Sequence, residues 1–531
     1  MIEMNQKFIE ELLKSEVKTP DDLARAKRRF AKKYQIPCPS NTALLKTYHE
    51  LVKNKSAEKI ENLLRTRPIR SLSGIVNVSV LTKPYPCPNS CLYCPSQEGA
   101  PKSYLKNEPA VMRAILNKYD PYRQVKTRLK ALADNGHPTD KIELRIIGGT
   151  WSYYPEKYQT WFIKRCFDAC NDKGCPTSSR MSDILKSQKI NEKARHRIVG
   201  LSIETRPDFI NLEEIKRLRK LGATMVELGV QSIYDNVLKL NKRGHGVKET
   251  ILATKLLKDA GFKVLYQMMP NLPGSSLKKD EKMFKELFRN PDFQPDLLKI
   301  YPCALLKEAP LFKWWQKKKY RPYAEKQLIS LIKSIKKIIP YYVRIQRISR
   351  DIPSQSIVAG PAKISNLRQI IAQNMRKEGW QCRCIRCREV RKDYDPKEKL
   401  YLFRKDYRAS NGKEIFLSFE NPEGKLSASY GAGKNRKLYS LLRLRITSQN
   451  TAIIREVHTY GQLHPINGFT KSIISPQHKG LGKKLVKQAE KIAKREFGLK
   501  KIAVISGVGV RSYFTELGFK LKNTYMVKVI F

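Results

Sequence analysis

No apolar run in the chain approaches the roughly 18 residues that a membrane span needs. Met1 to Glu16 carries acidic residues where a secretory leader would be basic and then apolar, so a soluble, cytoplasmic protein with no membrane partner is expected. No internal repeat or low-complexity tract interrupts the sequence. Acidic residues are scarce, with 49 Asp plus Glu against 104 Lys plus Arg, and the formal charge is +55. Hydrophobic residues still make up 41%, so this is a folded protein with a polyanion, most simply nucleic acid, for a partner. An even cysteine set is also missing. The 11 cysteines include six in two tight clusters with metal-ligand spacing, which excludes a secreted disulfide scaffold and fits a reducing compartment. At 531 residues the chain has room for two to four domains of roughly 150 residues each. A single small binding module is excluded.

What is present falls into four parts. Residues 1–70 read as basic helices: Gln6 to Leu13, Pro20 to Tyr34 after a Thr-Pro-Asp-Asp start signal, and Thr42 to Val52. Arg25, Arg28, Arg29, Lys32 and Lys33 crowd the second helix and are candidate RNA contacts, the plainer reading being a solvated helix face. Residues 71–347 alternate β-rich runs with helices. The runs are Ile75 to Leu81, Glu143 to Ile147, Ile198 to Ile203, Thr224 to Val230, Lys263 to Met268, Leu297 to Tyr301 and Tyr342 to Ile345. Repeated βα units of this kind predict a parallel sheet, open or partly closed as a barrel, with its chemistry at the C-terminal strand ends. Residues 348–400 form a Pro-, Arg- and Cys-rich linker. Residues 401–531 make a second α/β domain with a long helix from Lys483 to Phe497.

Cys87, Cys91 and Cys94 follow the first strand as C-x3-C-x2-C. Three thiolates on one loop suit three irons of a [4Fe-4S] cube and leave the fourth iron open, whereas a structural zinc site normally closes with four ligands. This motif resembles that of the radical S-adenosylmethionine superfamily. The resemblance implies a cluster that binds and cleaves S-adenosylmethionine to a 5′-deoxyadenosyl radical. Gly148 and Gly149, after the second strand, look like the superfamily's glycine pair for the methionine amine. Glu204 and Arg206, then Glu227, Gln231, Arg243 and His245, each follow a strand and are candidates for the same ligand or for ion pairing at the barrel mouth.

Near the C-terminus, Gln477-His478-Lys479-Gly480-Leu481-Gly482 runs straight into a helix at Lys483. Glycines there expose backbone N–H groups beside the positive end of a helix dipole, a seat for a pyrophosphate. With the strand Ile453 to Tyr460, the run Ser506-Gly507-Val508-Gly509 and the pair Tyr513-Phe514, the segment resembles a GNAT acetyltransferase. In that fold a splayed strand contacts the pantetheine and a tyrosine protonates the leaving thiolate, which makes Tyr513 the candidate acid, with Phe514 beside it at the cofactor. In the linker, Cys382, Cys384 and Cys387 ask for a metal ion. Cys303 is the expected fourth ligand of a Zn2+ site, with Cys166, Cys170 and Cys175 as competitors.

The combined order resembles the catalytic subunit of Elongator and its single-chain archaeal and bacterial relatives, on the segments NEPAVMRAILNKYDPY, LSIETRPD, LGATMVELGVQS, MMPNLPG, RISRDIPS, CRCIRCREV and QHKGLGK. The expected fold is therefore α/β, a partial TIM-like barrel of the radical type followed by a GNAT-type domain, with a helical basic N-terminal region. By position, the resemblance assigns Lys141, Glu456, Val457, His458, Thr459, Leu481, Gly482 and Lys483 to acetyl-CoA. It implies transfer of the acetyl carbon to carbon 5 of the wobble uridine, giving 5-carboxymethyluridine. Implied partners are the tRNA anticodon loop, an electron donor, and either accessory subunits or a second copy. Gln267 stands where the family often has histidine, and Phe514 where it often has tyrosine. Two rival readings are a protein lysine acetyltransferase with a structural iron–sulfur cluster and a nonenzymatic RNA-binding scaffold.

Overall fold

The computed structural model describes residues 2–51, 58–174, 180–422, 436–466 and 475–530. Four helices open the chain: Ile2–Leu13, Pro20–Lys33, Asn41–Leu51 and Glu58–Leu64. The second starts where the sequence places it, because Thr19 and Asp22 cap each other's backbone and Pro20 occupies the first helical position. Its Leu23 and Phe30 join Phe8, Leu44, Leu45 and Tyr48 in a small core of their own. Arg25, Arg28, Arg29, Lys32 and Lys33 are left on the exposed face.

Seven parallel strands follow in sequence order: β1 Val76–Leu81, β2 Lys141–Ile147, β3 Arg197–Thr205, β4 Met225–Gln231, β5 Lys263–Met268, β6 Leu297–Ile300 and β7 Arg344–Ile348. β1 and β7 are the two edges, so the curved sheet is a half-barrel open on one side. Apolar residues such as Val78, Leu144, Ile203 and Val226 are buried against the surrounding helices, as the near-continuous apolar strands require. The expected strand Tyr342 to Ile345 begins two residues later in the structure and runs to Ile348.

The second sheet holds β8 Tyr401–Ala409, β9 Gly412–Glu420, β10 Leu438–Ile446, β11 Ala452–Thr459, β12 Lys501–Val504, β13 Lys520–Lys522 and β14 Tyr525–Val529, in the order β13-β14-β12-β11-β10-β9-β8. Only β11 and β12 pair in parallel, and only over Ala452 to Ile454. Beyond Ile454 the two strands diverge, which frees the β12-facing backbone of Arg455 to Thr459. The helix Leu481–Phe497 packs Leu485, Val486, Ala489 and Ile492 onto this sheet.

A buried ionic seam joins the two sheets. Asp296, just before β6, receives Arg455 Nη1 at 2.9 Å, with Lys258 at 3.4 Å and Arg443 at 3.6 Å. Arg445 pairs Asp259 at 2.7 Å and Glu414 at 3.0 Å. Burial alone would raise the Asp296 carboxyl, but the charges of Arg455, Lys258 and Arg443 outweigh it and hold it below the usual carboxylate range. Such charges are tolerated in an interior only when paired, and three of these pairs, Arg455–Asp296, Arg443–Asp296 and Arg445–Asp259, join the second sheet to the barrel.

Candidate functional site

A cavity of about 780 Å³ runs through the half-barrel. At the C-terminal strand ends it is walled by Cys87, Cys91 and Cys94, which follow β1, and by Gly149, Glu204 and Gln231. At the other end its wall is the start of β5 and β7, Lys263 and Arg344, together with Glu456 and His458 of β11. The cavity thus reaches from the cysteine loop of the first sheet to a strand of the second.

The cysteine loop is shaped by a turn, Cys94 N–H to the Cys91 carbonyl at 3.1 Å. Arg243 Nη1 donates to Cys91 Sγ at 3.7 Å, and its Nη2 donates to the Gly229 carbonyl at 2.6 Å. Burial, then the neighbouring Cys91 and Cys87, pushes the Cys94 thiol up to about 12, so a positively charged centre is needed to hold it as a thiolate. Among the described residues, only Cys382, Cys384 and Cys387 have all their sulfurs within 4.8 Å of one another. That close spacing suits a single ion, and the wider loop Cys87, Cys91, Cys94 suits a cluster.

Around the loop, a Cβ on Gly148 would meet Thr82 Oγ1 at 2.1 Å, and Gly148 has φ +130°, so only glycine fits. The buried Gln231 leaves its side-chain oxygen without a partner while lining the cavity. A glycine cradle and an unsatisfied acceptor fit a ligand with an amine, such as the methionine end of S-adenosylmethionine. Glu204 accepts from Tyr104 Oη at 3.2 Å, Gln267 Nε2 at 3.1 Å and Lys299 Nζ at 3.0 Å. Gln267 thus hydrogen-bonds inside the cavity. Arg206 is committed to Asp208 at 2.6 Å. His245 accepts from Arg243 Nε at 3.1 Å. Midway down, Glu227 is held by Arg145 at 2.7 Å and by Lys299; the sequence reading passes over Arg145 and Lys299, because charged residues inside a barrel look like surface residues until the sheet curves.

The second cluster of candidate residues also converges. Gln477 Oε1 accepts from Lys141 Nζ at 3.0 Å, and its Nε2 donates to the carbonyls of Gly74 and Thr459, both at 3.0 Å. Lys141 Nζ also donates to the His464 carbonyl at 2.6 Å and meets His478 Nε2 at 2.9 Å. Burial lowers the Lys141 ammonium to about 8. Gly480 precedes the helix that Leu481, Gly482 and Lys483 begin. A Cβ on Gly482 would stand 3.0 Å from Tyr513 Oη and 3.5 Å from Val457 Cγ1, so these three residues meet at one spot. Burial pushes the Tyr513 hydroxyl up to about 12, which keeps its proton available. Residues alternate along β11: Val457 faces this spot, while Glu456 and His458 line the barrel cavity. Glu456 pairs Arg443 at 2.8 Å, His458 Nε2 meets the Ser73 carbonyl at 2.7 Å, and Thr459 Oγ1 meets Ser440 Oγ at 2.9 Å.

Three expectations are corrected. Phe514 is buried in the core of the second sheet, its ring against Phe519, and does not face the Gly482 spot. Ser506 to Gly509 serves the seam between sheets, since a Cβ on Gly507 would meet the Val199 carbonyl at 2.1 Å. Cys303 is not with the linker thiols. It lies past the C-terminal end of β6, packed with Leu305 and Tyr320, whereas Ile385 N–H bonds the Val343 carbonyl just before β7, at the opposite end of the barrel. Cys166 and Cys170 are buried on the helix Glu156–Cys170 within the barrel core, and Cys175 lies outside the described residues. Lys336 Nζ, at 3.7 Å, donates to Cys387 Sγ.

The family model described as the radical SAM superfamily matches residues 85–287, and that of the radical SAM C-terminal domain matches residues 295–377. The chain is 46% identical over 503 residues to the tRNA uridine(34) acetyltransferase of Methanocaldococcus infernus, covering 92% of this chain and 91% of that one. It is 37% identical to the human Elongator complex protein 3, over 88% and 86% of the two chains. A solved structure of the archaeal Methanocaldococcus infernus Elp3 lacking residues 1–46 superposes with a TM-score of 0.73 at 44% identity, covering 86% of this chain and all 100% of that one. No helix among the described residues is long and apolar enough to cross a membrane.

Proposed function

The chain belongs to the Elongator complex protein 3 family of radical SAM enzymes, and from that premise we propose that it modifies uridine 34 of tRNA by placing the acetyl carbon of acetyl-CoA on carbon 5 of the base. One observation carries the reading: β11 separates the Gly482–Tyr513 spot from the barrel cavity, with Val457 on one side and Glu456 and His458 on the other. An acyl thioester seated along the splayed half of β11 is one strand's thickness from the far end of the cavity whose other end is walled by Cys87, Cys91 and Cys94.

In this reading residues 71–347 form the radical domain, residues 401–531 bind acetyl-CoA, and residues 1–70 with the linker 348–400 contribute to RNA binding. Cys87, Cys91 and Cys94 hold a [4Fe-4S] cluster, with S-adenosylmethionine against Gly148, Gly149 and Gln231. When bound, this pair supplies a carbon radical able to abstract hydrogen from a methyl group. Arg243 holds Cys91 in place by its hydrogen bond, and Glu204 orients polar groups at the cavity floor. Gln477 ties the acyl loop to β11 and to Gly74, and Lys141 clamps it from β2. When water hydrolyses the thioester to leave the carboxymethyl group, the protonated Tyr513 hydroxyl is the proton source for the departing thiolate.

The linker thiols Cys382, Cys384 and Cys387 are proposed to hold one Zn2+ whose fourth ligand comes from outside the four-cysteine set first expected. Cys384→Ser should reduce bound zinc to well below one per chain and lower the melting temperature by more than about 5 °C, because a structural ion contributes directly to folding. Stoichiometric zinc in that variant would place the ion elsewhere. The whole reading is tested by anaerobic incubation with tRNA, S-adenosylmethionine, a reductant and acetyl-CoA, followed by nucleoside mass spectrometry. A 5-carboxymethyluridine product dependent on all four supports it. Acetylation of lysine peptides without S-adenosylmethionine, and no tRNA product, would sink it in favour of a protein acetyltransferase.

A further inference from the structure

The open side of the half-barrel, between β1 and β7, has two unlike lips. On the β7 side the three arginines from the strand and the loop after it each have a carboxylate: Arg344 pairs Glu389 at 2.7 Å, Arg350 pairs Glu108 at 3.3 Å, and Arg347 pairs Asp351. On the β1 side stand Arg67 and Arg70 from the segment before β1, Arg113 from the helix Pro109–Leu116 and Arg128 from the helix Pro121–Asp134, all lining the same cavity. None of these four guanidinium groups makes a hydrogen bond or ion pair among the described residues. Burial lowers the Arg113 guanidinium, and the carboxylate that acts on it is the more distant Asp351.

Like charges brought together without acids repel, and the repulsion is legible here. Burial, then Arg70, Arg113 and Arg67, lowers Arg128 to about 10, and burial with Arg67 and Arg113 lowers Arg70. A fold does not gather four cations, three of them half-buried, for stability. Arg67 also takes a left-handed backbone, φ 53°, directly before Pro68, a conformation that costs a non-glycine residue roughly 1 kcal/mol and is disfavoured before proline. Between Arg67 and Arg70, Ile69 is 55% exposed and lines the cavity, so an apolar surface stands among the charges.

We propose that this β1-side lip binds successive backbone phosphates of a single-stranded RNA segment, so that one unstacked nucleotide enters the cavity between the two lips with its base against Ile69. The inference rests on the RNA-modifying reading above and names the surface that presents the substrate. Guanidinium forks match phosphate oxygens, and spaced cations beside an apolar contact suit an unstacked strand. The base must leave its stack to be modified at carbon 5, and a cavity of about 780 Å³ admits a nucleotide but no duplex. The phosphates of acetyl-CoA are the other anions this protein would meet, but the loop Gln477 to Gly482 forms no part of the cavity wall.

The test compares R70Q/R128Q with R347Q and wild type, using an anticodon stem-loop RNA and measuring affinity across a salt series, with acetyl-CoA affinity and melting temperature alongside. The expected result for R70Q/R128Q is about tenfold weaker RNA binding near 0.1 M salt and a salt slope shallower by about 0.7 per lost phosphate contact. Its melting temperature should hold or rise, since mutual repulsion is relieved, and a purely structural role would lower it. R347Q, whose charge is already neutralised by Asp351, should flatten the slope less. An unchanged slope in R70Q/R128Q, an equal flattening in R347Q, or a loss confined to acetyl-CoA affinity would each overturn the proposal while leaving the RNA reading intact. Absence of stem-loop binding by the wild type would overturn both.

Discussion

Cys91→Ser is expected to reduce S-adenosylmethionine cleavage to background, a loss of at least about a thousandfold, with the cluster absorbance and the iron content falling together. The loop has three thiolates for three irons, so no spare ligand takes over, and a serine hydroxyl is a poor ligand for iron at neutral pH. Cys91 is also the thiol that Arg243 reaches, so the substitution leaves a buried guanidinium without its sulfur partner. The fold should survive, because Cys91 lies in a loop rather than in the barrel core and serine occupies nearly the same volume. A melting temperature within a few degrees of wild type, together with lost iron, is the expected pattern. Full iron content with full cleavage would show that Cys91 is no cluster ligand. Lost iron with a collapsed melting curve would show that the loop is structural first. Tests of zinc loading at Cys384 bear on a separate site, because Cys382, Cys384 and Cys387 pack beside Val343 and Lys336, away from this loop.

Much of the fold was legible because parallel strands covered on both faces read as short apolar runs. The apolar run Lys263 to Met268 coincides with its strand to the residue, and the other runs match the barrel strands within about three at either end. β7 was set too early because Arg344 and Arg347 interrupt the apolar pattern, and they do so because the strand lines a charged cavity and an open edge. Cys87, Cys91, Cys94 and the run Gln477 to Gly482 stand out in the sequence as candidates because their chemistry is local, a matter of spacing in a few residues. Arg145, Lys299 and the arginines of the β1 lip do not, since what makes them unusual is that their partners, or the lack of partners, are set by segments far away in sequence. Arg443, Arg445 and Arg455 belong to the same class. Their sequence context suggests an exposed strand face, and the structure buries them completely against Asp259, Asp296 and Glu414. The two misplaced residues, Cys303 and Phe514, fail for related reasons. Proximity to a strand end cannot say which end of the barrel a linker returns to, and in a Tyr-Phe pair on a short helix the neighbouring side chains point in different directions.

Gly482→Glu is expected to weaken acetyl-CoA binding by at least about a hundredfold while RNA affinity changes by less than about twofold. A Cβ at this position would already stand 3.0 Å from Tyr513 Oη and 3.5 Å from Val457 Cγ1, so any side chain must turn outward into the space where the cofactor would lie. A carboxylate there adds repulsion toward the pyrophosphate. At roughly 5 Å and an effective dielectric near 20, two negative charges repel by about 3 kcal/mol, which by itself exceeds a factor of a hundred. The protein should not unfold, because a negative charge in the first turn of the helix Leu481–Phe497 interacts favourably with the helix dipole. Gly482→Ala separates the two causes: its methyl group brings the steric part without the charge, and its acetyl-CoA affinity should fall between those of the wild type and Gly482→Glu. Titration calorimetry with acetyl-CoA, paired with stem-loop binding, reads both affinities. Retained acetyl-CoA binding in Gly482→Glu would mean that the Gly480–Gly482 turn is only a helix start. Equal loss of acetyl-CoA and RNA affinity would mean that the turn braces the seam between the sheets, through Gln477 and its hydrogen bonds to Gly74 and Thr459, rather than seating a pyrophosphate.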